Sequence, residues 1–134
     1  MYWKRHLQHV DSDKDHCREC EAGTVCSVYT QDGSKLLPRP ISLCEIDKEK
    51  GALRLVYRVT GPKTGTESFS RLHAGAQLEL LGPLGNGFPF EAAEGKKVFL
   101  MGGGIGVPPI LELAKQMKCD KKQIVAGYRD AQTF

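Results

Sequence analysis

The sequence predicts a mixed β and α/β fold, a small antiparallel β-barrel or sandwich followed by a single βαβ unit. Three observations predict it. Short segments of alternating polarity, separated by turn formers, occupy residues 22–94; the pattern changes at Glu94-Gly95; and an apolar run, a glycine cluster and a helix-period stripe follow in that order. The chain has 134 residues, of which 40% are apolar and 26% charged, close to globular averages and unlike a disordered or fibrous composition.

Residues 1–21 show neither alternation nor a helical period, and they are expected to form a flexible segment of their own. They hold His6, His9 and His16, the charge-mixed run Asp11 to Asp15, and Cys17-Arg18-Glu19-Cys20. Val25-Cys26-Ser27-Val28-Tyr29 has the composition of a strand, and Gln31-Asp32-Gly33-Ser34 that of a turn. The clearest alternation is Leu53 to Val59, with Leu53, Leu55, Tyr57 and Val59 on one face and Arg54 and Arg58 on the other. Lys48-Glu49-Lys50-Gly51 reads as the turn joining it to Ile41–Ile46 in an antiparallel hairpin. Gln77 to Leu81 is a further short strand, and Leu81 to Pro89 is too rich in turn formers to be strand or helix.

Val98-Phe99-Leu100-Met101 is apolar on both faces, as in a buried parallel strand. Gly102-Gly103-Gly104-Ile105-Gly106 follows, and Pro108 and Pro109 suit the first turn of a helix, where a missing N–H costs little. Ile110, Leu113, Ala114 and Met117 form one buried stripe, and Lys115 and Lys118 sit where the helix dipole favours cations. Gln123 to Tyr128 supplies the next strand.

Several function classes are excluded or disfavoured. A net charge of +3 with no dense basic stripe argues against nucleic acid as the main partner. No run approaches the ~18 apolar residues of a membrane span, and the polar N-terminus is unlike a secretory signal, so the expectation is a cytoplasmic protein with no membrane partner. Five cysteines then read as reduced thiols instead of a disulfide framework. Cys17, Cys20, Cys26 and His16 have partial metal-ligand spacing but lack a second matched pair; the plainer reading is a reduced tail, and no metal ligand is assigned. Cys44 and Cys119 read as small buried hydrophobes, and His73 as a solvated loop residue. No general acid, base or nucleophile constellation is evident.

The candidate site residues are of another kind. Arg39-Pro40-Ile41-Ser42 offers a guanidinium able to grip a pyrophosphate, a proline that stiffens the approach, and a hydroxyl two residues beyond Pro40 on the same strand face. Thr64-Gly65-Thr66 offers backbone N–H groups and a hydroxyl suited to an anion. The strand–glycine–helix unit at 98–117 has the geometry that puts phosphate at a helix N-terminus. Gly102-x-Gly104-x-x-Val107 is not the full dinucleotide fingerprint, and Asp130 lies late for its acidic residue.

In order, Arg-Pro-Ile-Ser at 39–42, Gly-Thr at 65–66, Gly-Pro-Leu-Gly-Asn-Gly-Phe at 82–88 and Gly-Gly-Gly-Ile-Gly-Val-Pro-Pro at 102–109 resemble the ferredoxin-reductase-like flavoproteins. Leu37 to Asp47 together with Gly82 to Pro89 resembles, within them, the electron-transfer subunits of NAD-linked (type B) dihydroorotate dehydrogenase. The resemblance covers about residues 23–130. It implies a ferredoxin-reductase-like FAD-binding β-barrel domain at 22–94, lacking its first strands, and the truncated start of an NAD-binding Rossmann-like domain at 95–134. It implies FAD held by Arg39, Pro40, Ile41 and Ser42, with Arg39 on the pyrophosphate and Ser42 near the isoalloxazine. Val56, Tyr57 and Arg58 would line the cofactor, Gly65 and Thr66 would hold the pyrophosphate, and Gly102, Gly103, Gly104 and Gly106 would form the nucleotide turn.

The family carries electrons from the FMN of a catalytic partner subunit, in a heterotetramer, through a 2Fe–2S cluster and FAD to NAD⁺ in UMP synthesis. Its cluster cysteines lie in a C-terminal domain that this chain is expected to lack, and the loop at 60–66 is longer than the family's. Two alternatives accompany this reading: an inactive truncated form of such a subunit, and a related reductase subunit serving hydrogenase or ferredoxin:NADP chemistry.

Overall fold

The computed structural model describes the backbone of residues 5–11 and 14–129, and side chains from Cys17 to Arg129. Seven strands are present among the described residues: β1 (Arg5–Asp11), β2 (Val25–Val28), β3 (Arg39–Asp47), β4 (Ala52–Arg58), β5 (Leu80–Leu84), β6 (Lys97–Gly103) and β7 (Lys121–Gly127). Three α-helices accompany them: α1 (Lys14–Glu19), α2 (Gly65–Ser70) and α3 (Val107–Gln116). β1 to β5 form one antiparallel sheet in the order β1-β4-β3-β2-β5, and β6 and β7 pair in parallel. The mixed antiparallel and βαβ fold is thus the observed one.

The hairpin β3–β4 is where the alternation places it. Its turn is closed by the Lys50 amide donating to Asp47 Oδ1 at 3.0 Å, and Gly51 supplies the positive φ of 69° that the turn needs. Leu53, Leu55 and Tyr57 are buried while Arg58 is exposed. A bulge between Leu43 and Glu45 shifts the β3–β4 register. The inward faces of β2, β3 and β4 make the larger core, which Cys17, Cys20 and Cys26 share with the aliphatic residues. Each fully buried Leu or Val there contributes about 1.5–3 kcal/mol.

α3 begins on its two prolines and buries Leu113 and Ala114 against Leu100 of β6, with Met117 closing its C-terminal end. Lys122 Nζ donates to Ala114 O at 2.6 Å and Met117 O at 3.0 Å, so a cation sits on the helix's free carbonyls.

Five expectations are corrected. Within 1–21, where a loop is expected, β1 pairs along β4 from Arg5↔Arg58 to Asp11↔Ala52, and α1 follows. Main-chain pairing with a remote strand selects β1, and such pairing needs no side-chain period. Cys17, Cys20 and Cys26 lie in the core, completely shielded from solvent, and are not parts of a tail. They are free thiols, as are Cys44 and Cys119, which are half-buried. The strand expected at Gln77–Leu81 begins at Leu80 and runs through Gly82-Pro83 to Leu84, into a segment expected to be turn alone. β5 lies at the sheet edge, where a proline's missing N–H is tolerated, and β2 bulges between Val25 and Ser27 to follow it. β6 is covered on one face only: Phe99 and Met101 are exposed because α3 packs on the opposite side. The loop expected at 60–66 ends at Thr64, and Gly65 and Thr66 open the helix α2.

Candidate functional site

The site is built on β3. Alternation along this strand turns Ile41 and Leu43 inward and leaves Pro40 and Ser42 on the other face, Ser42 half-buried and paired with Val25 of β2. On β4, Val56 follows Leu55, the partner of Leu43, and is half-buried between the buried Leu55 and Tyr57, so it takes the face turned away from the core. Arg39 opens the strand. Its Nη1 donates to Leu37 O at 2.6 Å and to Pro38 O at 3.5 Å, which folds the guanidinium back along its own chain.

That fold brings Arg39 onto α2. A Cβ built on Gly65 would lie 2.8 Å from Arg39 Nε, closer than real Cβ atoms come, and 3.2 Å from its Cγ and Cζ, so the arginine occupies the space a side chain at 65 would fill. Arg39 and Gly65, 26 positions apart in sequence, are therefore in contact. Among the described residues no acceptor pairs with Arg39 Nε or Nη2.

α2 is a short helix with a full N-terminal cap. Thr64 Oγ1 accepts from the Glu67 amide at 3.3 Å and donates to Gly61 O at 2.8 Å. Glu67 Oε2 accepts from the Lys63 amide at 2.5 Å, and Arg71 Nη2 donates to Glu67 Oε1 at 2.6 Å. These bonds hold the Glu67 carboxyl below its ordinary range, the Lys63 amide first and Arg71 second. The Gly65 and Thr66 amides belong to the first turn, which has no internal acceptor for them. The Arg39 side chain and two first-turn amides thus lie at the N-terminal end of α2, beside the hydroxyls of Thr64 and Thr66, which are 3.2 Å apart, the Thr64 proton already given to Gly61 O. The guanidinium and the two amides are donors of a kind that suits a pyrophosphate.

Other residues singled out in the sequence divide. Tyr57 points inward, 4% exposed, its ring edge-on to Phe69 at 5.8 Å and 80°. Burial pushes its hydroxyl up to about 12. Tyr57 thus props α2 from the core through Phe69, while Arg58 is exposed at the strand end. Gly102, the last but one residue of β6, lies against the start of α3: a Cβ there would lie 3.1 Å from Val107 Cα and 3.2 Å from Gly106 O. Gly104 takes φ +52°, and the short 3-10 turn Gly104–Gly106 leads into α3 and lies against β4. Gly103 and Gly106 are open on the side a Cβ would take. Asp130 lies outside the described residues, as do the side chains of His6, His9 and His16. Among the described residues no three His, Cys, Asp or Glu side chains group as metal ligands. No helix there is long and apolar enough to cross a membrane.

A cleft of about 240 Å³ on the far flank of α2, lined by Thr30, Asp32, Ser68, Phe69, Leu72 and Leu78, is a poorer candidate. It is smaller than the usual ~300–1,000 Å³ of ligand sites. Its Asp32 is already paired with Lys35.

No family model matches the chain. Among curated proteins, the electron transfer subunit of dihydroorotate dehydrogenase B (NAD(+)) from Streptococcus mutans is 46% identical over 108 residues, 80% of this chain and 41% of that protein. The subunit of the same name from Enterococcus faecalis is 53% identical over 83 residues, 61% of this chain and 31% of that protein. The chain is homologous to the dihydroorotate dehydrogenase B electron-transfer subunits. It spans less than half the length of these relatives. Among solved structures, a ferredoxin NADP⁺ reductase from Neisseria gonorrhoeae with bound FAD and NADP superposes with a TM-score of 0.79 over 98% of this chain and 54% of that one. At 16% identity this likeness shows the ferredoxin-reductase fold alone.

Two features of this homologue of the electron-transfer subunits escape the sequence reading. Gly82 to Pro89 folds back on the approach to β2: the Phe88 amide donates to Ala22 O at 2.9 Å, and a Cβ on Gly23, at φ +95°, would strike the Phe88 ring at 2.7 Å. Glu112, on the face of α3 turned to β3, is 2% exposed. A lone acidic residue beside an apolar stripe carries no signal of burial.

Proposed function

We propose that the chain is the flavin-holding part of an electron-transfer subunit of dihydroorotate dehydrogenase B. It places FAD between the FMN of a catalytic partner subunit and NAD⁺, in the synthesis of UMP. Residues 22–94 are the FAD-binding domain and 95–134 the beginning of the NAD-binding domain. The observation that carries the reading is Arg39 lying on Gly65, which joins two motifs of the flavin signature into one anion cradle. The sequence likeness to the named subunits supports the same assignment.

In this reading Arg39 and the Gly65 and Thr66 amides hold the pyrophosphate, charge-assisted donors being the strong ones for such a group. Ser42 and Val56 present a hydroxyl and an apolar side chain to the flavin ring, and Pro40 and Ile41 fix the strand carrying them. Tyr57 keeps Phe69 and α2 in place from behind, with Arg58 at the rim. Gly102, Gly103, Gly104 and Gly106 form the turn that takes the NAD phosphates. FAD, when bound, supplies the ability to exchange electrons singly or in pairs; the protein supplies binding, orientation and shielding.

Titrating the purified chain with FAD and following flavin fluorescence tests the reading. Saturable binding that Arg39→Ala weakens by about 1.5–3 kcal/mol is expected, the worth of a hydrogen bond to a charged group. Equal affinity in the Arg39→Ala variant would remove the cradle from the account.

A further inference from the structure

β2 and β3 diverge at a fork. Their pairing ends near Ser42, where the Leu43 amide donates to Thr24 O at 3.4 Å, and beyond it α3 packs against β3. Two main-chain N–H groups at the fork are met by side chains of that helix. The Ile46 amide donates to Glu112 Oε2 at 3.3 Å, and the Ala22 amide, on the approach to β2, donates to Gln116 Oε1 at 3.1 Å. The two side chains lie one helical turn apart and are themselves joined, Gln116 Nε2 donating to Glu112 Oε1 at 2.7 Å.

Charge is matched as well. Glu112 is 2% exposed, a depth at which a carboxylate without partners is strongly unfavourable. Each of its oxygens accepts one hydrogen bond, and Lys115 Nζ stands 3.9 Å from Oε2 and 3.7 Å from Glu45 Oε1 on β3. Only a carboxylate meets two donors with two acceptors at this spot; an amide has one acceptor oxygen.

Both ends of this link lead to candidate sites. β3 carries Arg39 to Ser42 at its start and Ile46 near its end, and α3 carries the Gly102–Gly106 turn immediately before its first residue. We propose that Glu112 and Gln116 are positioning residues, a two-pronged clamp that fixes the glycine turn relative to the flavin strand and so sets the approach of nucleotide to flavin. The proposal rests on the functional reading above for what the two ends bind.

Three variants, Glu112→Ala, Glu112→Gln and Gln116→Ala, are compared with the unaltered chain in amide hydrogen exchange, FAD titration and the rate of flavin reduction at saturating NADH. Exchange should accelerate at Ile46 in Glu112→Ala and at Ala22 in Gln116→Ala. FAD affinity should stay within about twofold, because neither residue touches the cradle. Flavin reduction should slow by on the order of ten- to a hundredfold in Glu112→Ala, the cost of misplacing reactants by about an ångström. Glu112→Gln should fall between, having one acceptor where two are needed.

Unchanged exchange at both amides overturns the clamp. Unchanged reduction in Glu112→Ala, or an FAD-loaded unaltered chain that NADH does not reduce, overturns the positioning role. An unaltered chain that takes up no FAD overturns the functional reading instead, and the exchange data still decide whether the clamp exists. If Glu112→Ala does not fold, Glu112→Gln and Gln116→Ala, which change less of the buried volume or charge, carry the same comparisons.

Discussion

Replacing Gly65 with alanine adds one methyl group where the Arg39 side chain lies. The added carbon would stand 2.8 Å from Nε and 3.2 Å from Cγ and Cζ, so the arginine must move or the helix must shift. The middle of the side chain is struck, and its far end is held by the carbonyls of Leu37 and Pro38, so a small rotation cannot relieve the contact without losing those bonds. Removing the guanidinium from a pyrophosphate should cost about 1.5–3 kcal/mol of binding. At 1.4 kcal/mol per tenfold, that is roughly a 10- to 140-fold rise in Kd for FAD. The free chain should not suffer equally, since Gly65 is the first residue of α2 and alanine favours a helix over glycine by up to about 1 kcal/mol. The signature is weaker FAD binding in a variant that melts no earlier than the original. Flavin fluorescence titration beside urea unfolding reads both quantities. An unchanged Kd would refute the placement of the pyrophosphate between Arg39 and α2, and parallel losses of binding and stability would make the contact merely structural.

Gly102→Ala should destabilise by about 1–3 kcal/mol in urea unfolding, because its Cβ meets the backbone of Val107 and Gly106, which cannot turn aside. Leu55→Ala, at a position 1% exposed in the main core, should cost about 2–5 kcal/mol by the same measurement. The folded state holds the Glu67 carboxyl below its ordinary value, so its contribution is present at neutral pH and is lost as pH falls through the folded value. Glu67→Gln should therefore flatten the fall in unfolding midpoint between about pH 5 and pH 3, around the ordinary glutamate value of ~4.3; an equally steep fall would contradict the assignment.

The parts of this fold legible in the sequence are those where side-chain pattern and backbone state coincide. Leu53 to Val59 alternates because one face of β4 meets the core and the other does not. Pro108, Pro109 and the stripe from Ile110 to Met117 announce α3 by the same logic. β1 is illegible because its partner is β4, more than 40 residues away, and main-chain bonds to a remote strand leave no trace in the side-chain order. α2 left a trace that was available: Thr64-x-x-Glu67 is a capping-box pattern, and both side chains do cap, Glu67 reaching the amide of Lys63. Its six residues are too few to show a period, and glycine, threonine and two serines argue locally for a loop.

The candidate site divides in the same way. The glycines of 102–106 and the tetrapeptide at 39–42 are visible as motifs, since in the proposed reading phosphate geometry restricts which residues can serve. That Arg39 meets Gly65 depends on how β3 and α2 pack, which motif order implies only through likeness to other proteins. Tyr57 faces inward because the alternation that makes β4 readable assigns it to the core, even though motif position alone would set it beside the cofactor. Glu112 shows the limit of composition: on a helix covered from two sides, by β6 and by β3, a charged residue becomes a buried link.

The most direct test of the central claim is a visible absorbance spectrum of the purified chain, taken after incubation with FAD and removal of the free flavin. The account predicts flavin bands that travel with the protein and are lost in Arg39→Ala under the same washing. A folded chain that emerges colourless would contradict it.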